Sequence, residues 1–129
     1  MPAGPIVIRD EQLRRMGAAL FDAYFEQLMV HLRELFPQRL RAMGEDAARS
    51  LAKRAVERGR HYRLTRERNL TLFVDLFFAL GSGWEGSGGA RWLRDVLEDR
   101  SRSEDARLWL VYRRLPGRVP DSGDRPEAP

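Results

Sequence analysis

The sequence predicts an all-α protein: a single compact bundle of four to five helices around a central apolar helix, followed by a disordered C-terminal tail. Three observations carry this reading. The run from Leu70 to Leu80 contains one charged residue, Asp75, and a helix that is apolar on nearly every side belongs in the middle of a core. From Leu13 to Leu35 apolar residues recur at spacings of three and four, the period of an amphipathic helix. No segment has the β-branched alternation of a strand except Ile6 to Ile8. A chain of 129 residues, 43% hydrophobic, is one domain with enough apolar mass for a core.

Residues 1–8 hold Pro2, Gly4 and Pro5 and read as an extended arm. Asp10 is placed to cap the first helix, with Glu11 facing the positive end of its dipole. That helix, over 10–36, would be roughly 40 Å long. Its inner stripe is Leu13, Met16, Leu20, Tyr24, Leu28, Leu32 and Leu35, widened by Phe21, Phe25, Met29 and Phe36. Pro37 ends it or starts a short helical turn, because the residue before a proline avoids the α region. Gln38 to Met43 forms a small helical turn with Leu40 and Met43 inward, and Gly44 breaks it. The next helix, 45–59, turns Ala48, Leu51, Ala52, Ala55, Val56 and Gly59 inward, and such small residues let a neighbouring helix approach closely.

Thr65 is the expected cap of the central helix and Gly81 its stop. The central helix is too short to cross a bilayer, which takes about 20 apolar residues. Residues 81–89 are a glycine-rich loop. A short helix over 90–99 would bury Trp92, Leu93, Val96 and Leu97. Ser103 caps a last helix with Glu104 and Asp105 in its first turn, burying Leu108, Trp109, Tyr112 and Leu115. Pro116 stops it, so the helical domain spans residues 9–115. Residues 116–129 carry four prolines and no apolar period, which predicts the disordered tail.

The chain has no cysteine, so disulfides and thiolate metal sites are excluded. That composition fits a reducing compartment, and the expected location is cytoplasmic. Met1 to Arg9 lacks the basic and apolar regions of a signal peptide, so none is expected. Lys53 is the only lysine among 23 basic residues, and the net charge is +4. Residues 49–68 carry Arg49, Lys53, Arg54, Arg58, Arg60, Arg63, Arg66 and Arg68 against Glu57 and Glu67 alone. The rest of the chain is therefore net acidic, and basicity is a local feature that can serve as a binding surface.

Arg49, Lys53, Arg54 and Arg58 are expected to share one helix surface, with Tyr62 beside them. Guanidinium forks suit carboxylates and phosphates alike. One aromatic residue does not make a stacking platform for single strands, and no Asn or Gln stands among the arginines to read a groove. Trp84, in the glycine-rich loop, either folds back onto the core or stands as an exposed anchor. It joins the candidate partner-binding set because interfaces favour tryptophan. The loop matches G-x-G-x-x-G at Gly81, Gly83 and Gly86, but a helix and not a strand precedes it, so a dinucleotide is not expected.

No catalytic residue and no metal or cofactor ligand is predicted. His31 and His61 are far apart and in no helix-borne ligand spacing. His31 reads as a partly buried histidine holding a hydrogen bond, and His61 as a loop residue. Asp22 and Glu26, one turn apart, read as a solvated face, whereas an acid/base pair would have to face a cleft. Asp75 is expected on the one exposed strip of the central helix, beside Thr71 and Ala79. The alternative is burial against an arginine from the second or last helix, since a lone buried carboxylate is costly.

One resemblance extends this reading. His31-Leu32-Arg33 through Phe36-Pro37, then Gly44, then Val56-Glu57-Arg58-Gly59, then Leu70 to Gly81 resemble, in their order, small all-helical accessory proteins encoded near type VI secretion toxin genes in bacteria. The likeness covers residues 31–81. It implies a non-enzymatic accessory protein that binds or loads a secreted effector, and it carries over no catalytic residue. The function expected is thus a protein-interaction module, an adaptor or chaperone for a secreted toxin. The alternatives are an immunity protein against a toxin and a nucleic-acid binder using residues 49–68. The loop 81–89 departs from the pattern of that group.

Overall fold

The computed structural model describes residues 10–81, Trp84 and residues 91–115, the side chains of 10–16 excepted. The arm 1–8, most of the loop 81–89 and the tail 116–129, for which expectations are stated above, lie outside the described residues. Six helices run in order: α1 (Asp10–Leu35), α2 (Pro37–Met43), α3 (Glu45–His61), α4 (Glu67–Leu80), α5 (Arg91–Glu98) and α6 (Glu104–Arg114). Among the described residues there is no strand, and no helix is long and apolar enough to cross a membrane.

The apolar run forms α4, and α4 is the hub. Leu72, Phe73, Val74, Leu76 and Phe78 are each at most 1% exposed, because α3, α1 and α6 all pack against this helix. The small-residue face of α3 is buried along its whole length, from Ala48 to Gly59. Gly59 shows why it is small: a Cβ there would stand 2.8 Å from Leu70 Cδ2 and 3.1 Å from Phe73 Cδ2. The helices touch where only glycine fits. At the far end of α4, Gly81 takes φ +91°, a conformation that side chains rarely adopt, and its amide closes the last turn onto Phe77 O.

Three expectations about the helices change. Leu20 is 66% exposed, and Gly17 to Leu20 are all exposed, so this part of α1 lies outside the packed bundle. Thr65 does not cap α4. Arg66 occupies the cap position without a side-chain bond, and the cap comes from α6. There the Glu104 carboxylate accepts from Thr65 N, Thr65 Oγ1, Arg66 N and Asn69 Nδ2 at 2.7–3.2 Å. Trp109 lies at the rim under Arg113, and Val111 takes the core place beside Leu108, Tyr112 and Leu115. Ser103 does cap α6, accepting from Ala106 N at 3.1 Å.

Candidate functional site: the cationic flank of the third helix

A helix turns by about 100° per residue, which separates the four cations expected on one surface. Arg49 and Lys53 fall on the flank toward α1, whereas Arg54 and Arg58 fall on the opposite flank. The contacts agree. The Arg49 guanidinium lies 5.2 Å and the Lys53 ammonium 5.6 Å from the ring centre of Phe25 in α1. Arg58 instead covers Tyr62, at 5.4 Å. The single basic surface is therefore two, and the α1 side gains Arg60, whose guanidinium sits 5.0 Å over Phe21. Phe21 and Phe25 stack at 5.8 Å, so three cations ride on one aromatic pair. Such contacts contribute about 0.5–1 kcal/mol at exposed sites.

Tyr62 and Trp84, expected among the partner-binding residues, are core residues. Tyr62 is 2% and Trp84 5% exposed. The Trp84 ring meets Phe73 and Phe77 edge-on at 5.8 and 5.3 Å, and Tyr62 meets Phe73 at 5.5 Å. An aromatic ring beside a largely apolar helix gains more by burial than by standing in water, and the tryptophan folds back.

Arg49 is partly engaged. It donates to Glu26 Oε2 at 2.6 Å and approaches Glu45 Oε1 at 4.0 Å, while Glu45 also pairs with Arg33. The Arg49 bond holds the Glu26 carboxyl below its usual range, and Glu26 in turn holds the guanidinium proton more tightly. Pairs this exposed add little stability; they orient Arg49 along the seam. Lys53, Arg54 and Arg60 are exposed, Arg58 half-buried. Beside Arg60 a shallow depression is lined by Gly17, Ala18, Phe21 and Asp22. Asp22 and Glu26 are both exposed, and Glu26 is bonded to Arg49.

Asp75 is not on an exposed strip. It is 1% exposed, and His31 Nε2 lies 2.8 Å from its Oδ1. The histidine of α1 reaches its carboxylate; His31, 20% exposed, is the hydrogen-bonded, partly buried residue expected. His31 borders a cleft of about 350 Å³ between α1 and α4, which Tyr24, Gln27, Leu28, Glu67, Arg68 and Thr71 also line. Tyr24 and Thr71 share a hydroxyl hydrogen bond of 3.0 Å. Burial, with the nearby charges of Asp75 and Glu67, pushes the Tyr24 phenol up to about 12, so it stays protonated. His61 is exposed, edge-on to Tyr62.

Two further charged sites escape the sequence reading. Arg107 is 4% exposed and donates through one nitrogen to Tyr62 O at 2.8 Å and Leu97 O at 2.5 Å. These carbonyls lie at the C-terminal ends of α3 and α5, the negative poles of two helices. Asn69, 2% exposed, bridges Glu104 and Asp105 of α6. The only sequence signal for Arg107 is its place between Ala106 and Leu108 on the inner stripe. For Arg60 it is the spacing of seven from Lys53. Among the described residues no group of three or more His, Cys, Asp or Glu could hold a metal ion.

The fold and this surface define a small all-α bundle with a cationic, aromatic-backed flank. Compared with known proteins, the chain matches no family model, no curated protein and no solved structure.

Proposed function

We propose that the protein is a non-enzymatic protein-interaction module that docks an acidic protein surface on the flank formed by Arg49, Lys53 and Arg60. The observation that carries this is their alignment along α3 over the stacked rings of Phe21 and Phe25. Cations held over rings lose less freedom on binding than cations on free stems, and ordering costs offset much of any interface's gain. The resemblance of residues 31–81 to type VI accessory proteins supplies the kind of partner: a secreted bacterial toxin, with this chain as its adaptor or chaperone.

Affinity capture from the native host, using the full chain as bait, tests the reading. The wild type is expected to retain a protein with an acidic surface. A variant with Arg49→Ser, Lys53→Ser and Arg60→Ser is expected to keep its helical circular dichroism and lose that partner. Equal capture by both, or recovery of no protein, contradicts the proposal. Duplex DNA titrated against salt separates the nucleic-acid alternative, whose affinity would fall steeply with salt. Survival of cells co-expressing the partner toxin separates an immunity role from loading.

A further inference from the structure

Helix α1 carries a second stripe, on the side away from its own bundle. Leu13, Met16, Leu20, Ala23, Gln27 and Val30 are spaced alternately three and four apart, the heptad spacing of a coiled-coil seam. Leu20, Ala23, Gln27 and Val30 are exposed. Leu20 at 66% and Val30 at 50% are the exposed large apolar side chains among the described residues. At about 100° per residue, Ala23 and Val30 lie roughly 60° and 80° to one side of Leu20, whereas Phe21 and Phe25 lie roughly 100° and 140° to the other. The stripe is therefore a separate surface from the cationic flank and does not depend on the function proposed for that flank. The start of α1 also gains little from its bundle. Gly17 to Leu20 are exposed, and a Cβ at Gly17 would meet nothing within 4 Å among the described residues. A short helical segment that contains glycine has little stability of its own in water.

We propose that this stripe is a self-association surface, on which α1 packs antiparallel against α1 of a second copy of the chain with Leu20 opposite Ala23. The two halves of the stripe complement each other. Positions 13, 16 and 20 hold Leu, Met and Leu, and positions 23, 27 and 30 hold Ala, Gln and Val. With 20 opposite 23, position 13 stands opposite 30 and position 16 opposite 27. The leucines thus meet the smaller Ala23 and Val30, and the two-fold axis repeats every pairing. Such a contact uses the same patch on both copies and closes at two. The overlap from 13 to 30 runs roughly 27 Å and covers both exposed apolar side chains. Parallel packing would instead set Gln27 against Gln27 and, at the next step of the same spacing, Glu34 against Glu34. Like charges would then meet in the seam. Antiparallel packing carries Glu34 past the start of the other helix at Asp10. It also lays the overhanging start of each α1 on the half of the other that is anchored by the buried Leu28, Met29 and Leu32.

Sedimentation of the full chain over a range of concentrations should show a reversible monomer–dimer equilibrium. Leu20→Glu, at an exposed position, should keep the helical circular dichroism and weaken dimerisation by at least about thirtyfold, the scale of a central anchor. Lys53→Ser, on the cationic flank, should dimerise like the wild type. Hydrogen exchange of residues 10–20 should quicken on dilution, while that of α4 should not. The chain has no cysteine, so introduced cysteines report the geometry. Under oxidising conditions a mixture of Leu20→Cys and Ala23→Cys chains should yield the mixed disulfide. Val30→Cys should not link to itself, because its antiparallel copy lies about 25 Å away along the axis. A chain that stays monomeric at every concentration overturns the proposal; protection of residues 10–20 in that monomer would mean that another segment of the same chain covers the stripe. An unchanged dimer in Leu20→Glu places the interface elsewhere, and self-linking of Val30→Cys overturns the antiparallel order.

Discussion

Arg107 and Arg49 are the same side chain in two regions that treat it in opposite ways. At the junction of α3, α5 and α6, Arg107 is 4% exposed, and among the described residues no carboxylate is bonded to it. Burial lowers its hold on the proton, with Glu104 opposing that effect, and carbonyl oxygens at two helix ends take its hydrogen bonds. At the seam of α1 and α3, Arg49 lies on the surface over Phe25, bonded to Glu26. The first arginine joins helices; the second is placed to meet something outside. Helix ends can accept a cation in the interior because their last carbonyls have no partner within the helix. A helix flank offers no such acceptors, and its cations stay in water.

The comparison can be broken most severely at Arg107. Arg107→Met keeps much of the side-chain volume but strands the carbonyls of Tyr62 and Leu97 in the core. The expected loss is about 2–4 kcal/mol, read from the urea midpoint, since each unsatisfied buried acceptor costs about 1–3 kcal/mol. A loss within the error of that midpoint would mean that the junction does not depend on its cation.

A smaller effect is expected at Glu104, which performs from another helix the capping expected of Thr65. Burial pushes its carboxyl up, but the donations from Asn69, Arg66 and Thr65 outweigh this and hold it below the usual range. A depressed carboxyl contributes stability in full above its unfolded value of about 4.3. That contribution is lost as pH falls through the lower value of the folded state. Glu104→Gln turns one acceptor into a donor facing other donors and should cost about 1–2 kcal/mol at neutral pH. Its stability should also fall less than the wild type's between about pH 5 and pH 3. Parallel pH profiles for the two proteins would show that the Glu104 carboxylate is not the acid-sensitive cap.

These positions also show where sequence reading reached its limit. Helix periods depend on local spacing, and so the inner face of α3 and the enclosure of α4 were legible. So was the Ser103 cap, whose acceptor is three residues from its donor. The Glu104 cap spans 38 residues to Arg66, and the His31–Asp75 pair spans 44; no local pattern encodes which helices meet. The candidate surface was half legible. Counting arginines found the segment, but the 100° turn per residue divided it between two flanks, and the rings that order one flank belong to α1. Trp84 went inward because Phe73 and Phe77 offered it edge-on contacts that its glycine-rich neighbours could not reveal.

Everything in this comparison rests on the apolar helix being closed off from water by the helices packed around it. Residue-resolved hydrogen exchange of the native chain tests it most directly. The amides of Leu72 to Phe78 should be the slowest in the molecule, exchanging only through global unfolding, with a free energy equal to that from urea denaturation. Exchange of that segment as fast as at the exposed residues Gly17 to Leu20 would contradict the account.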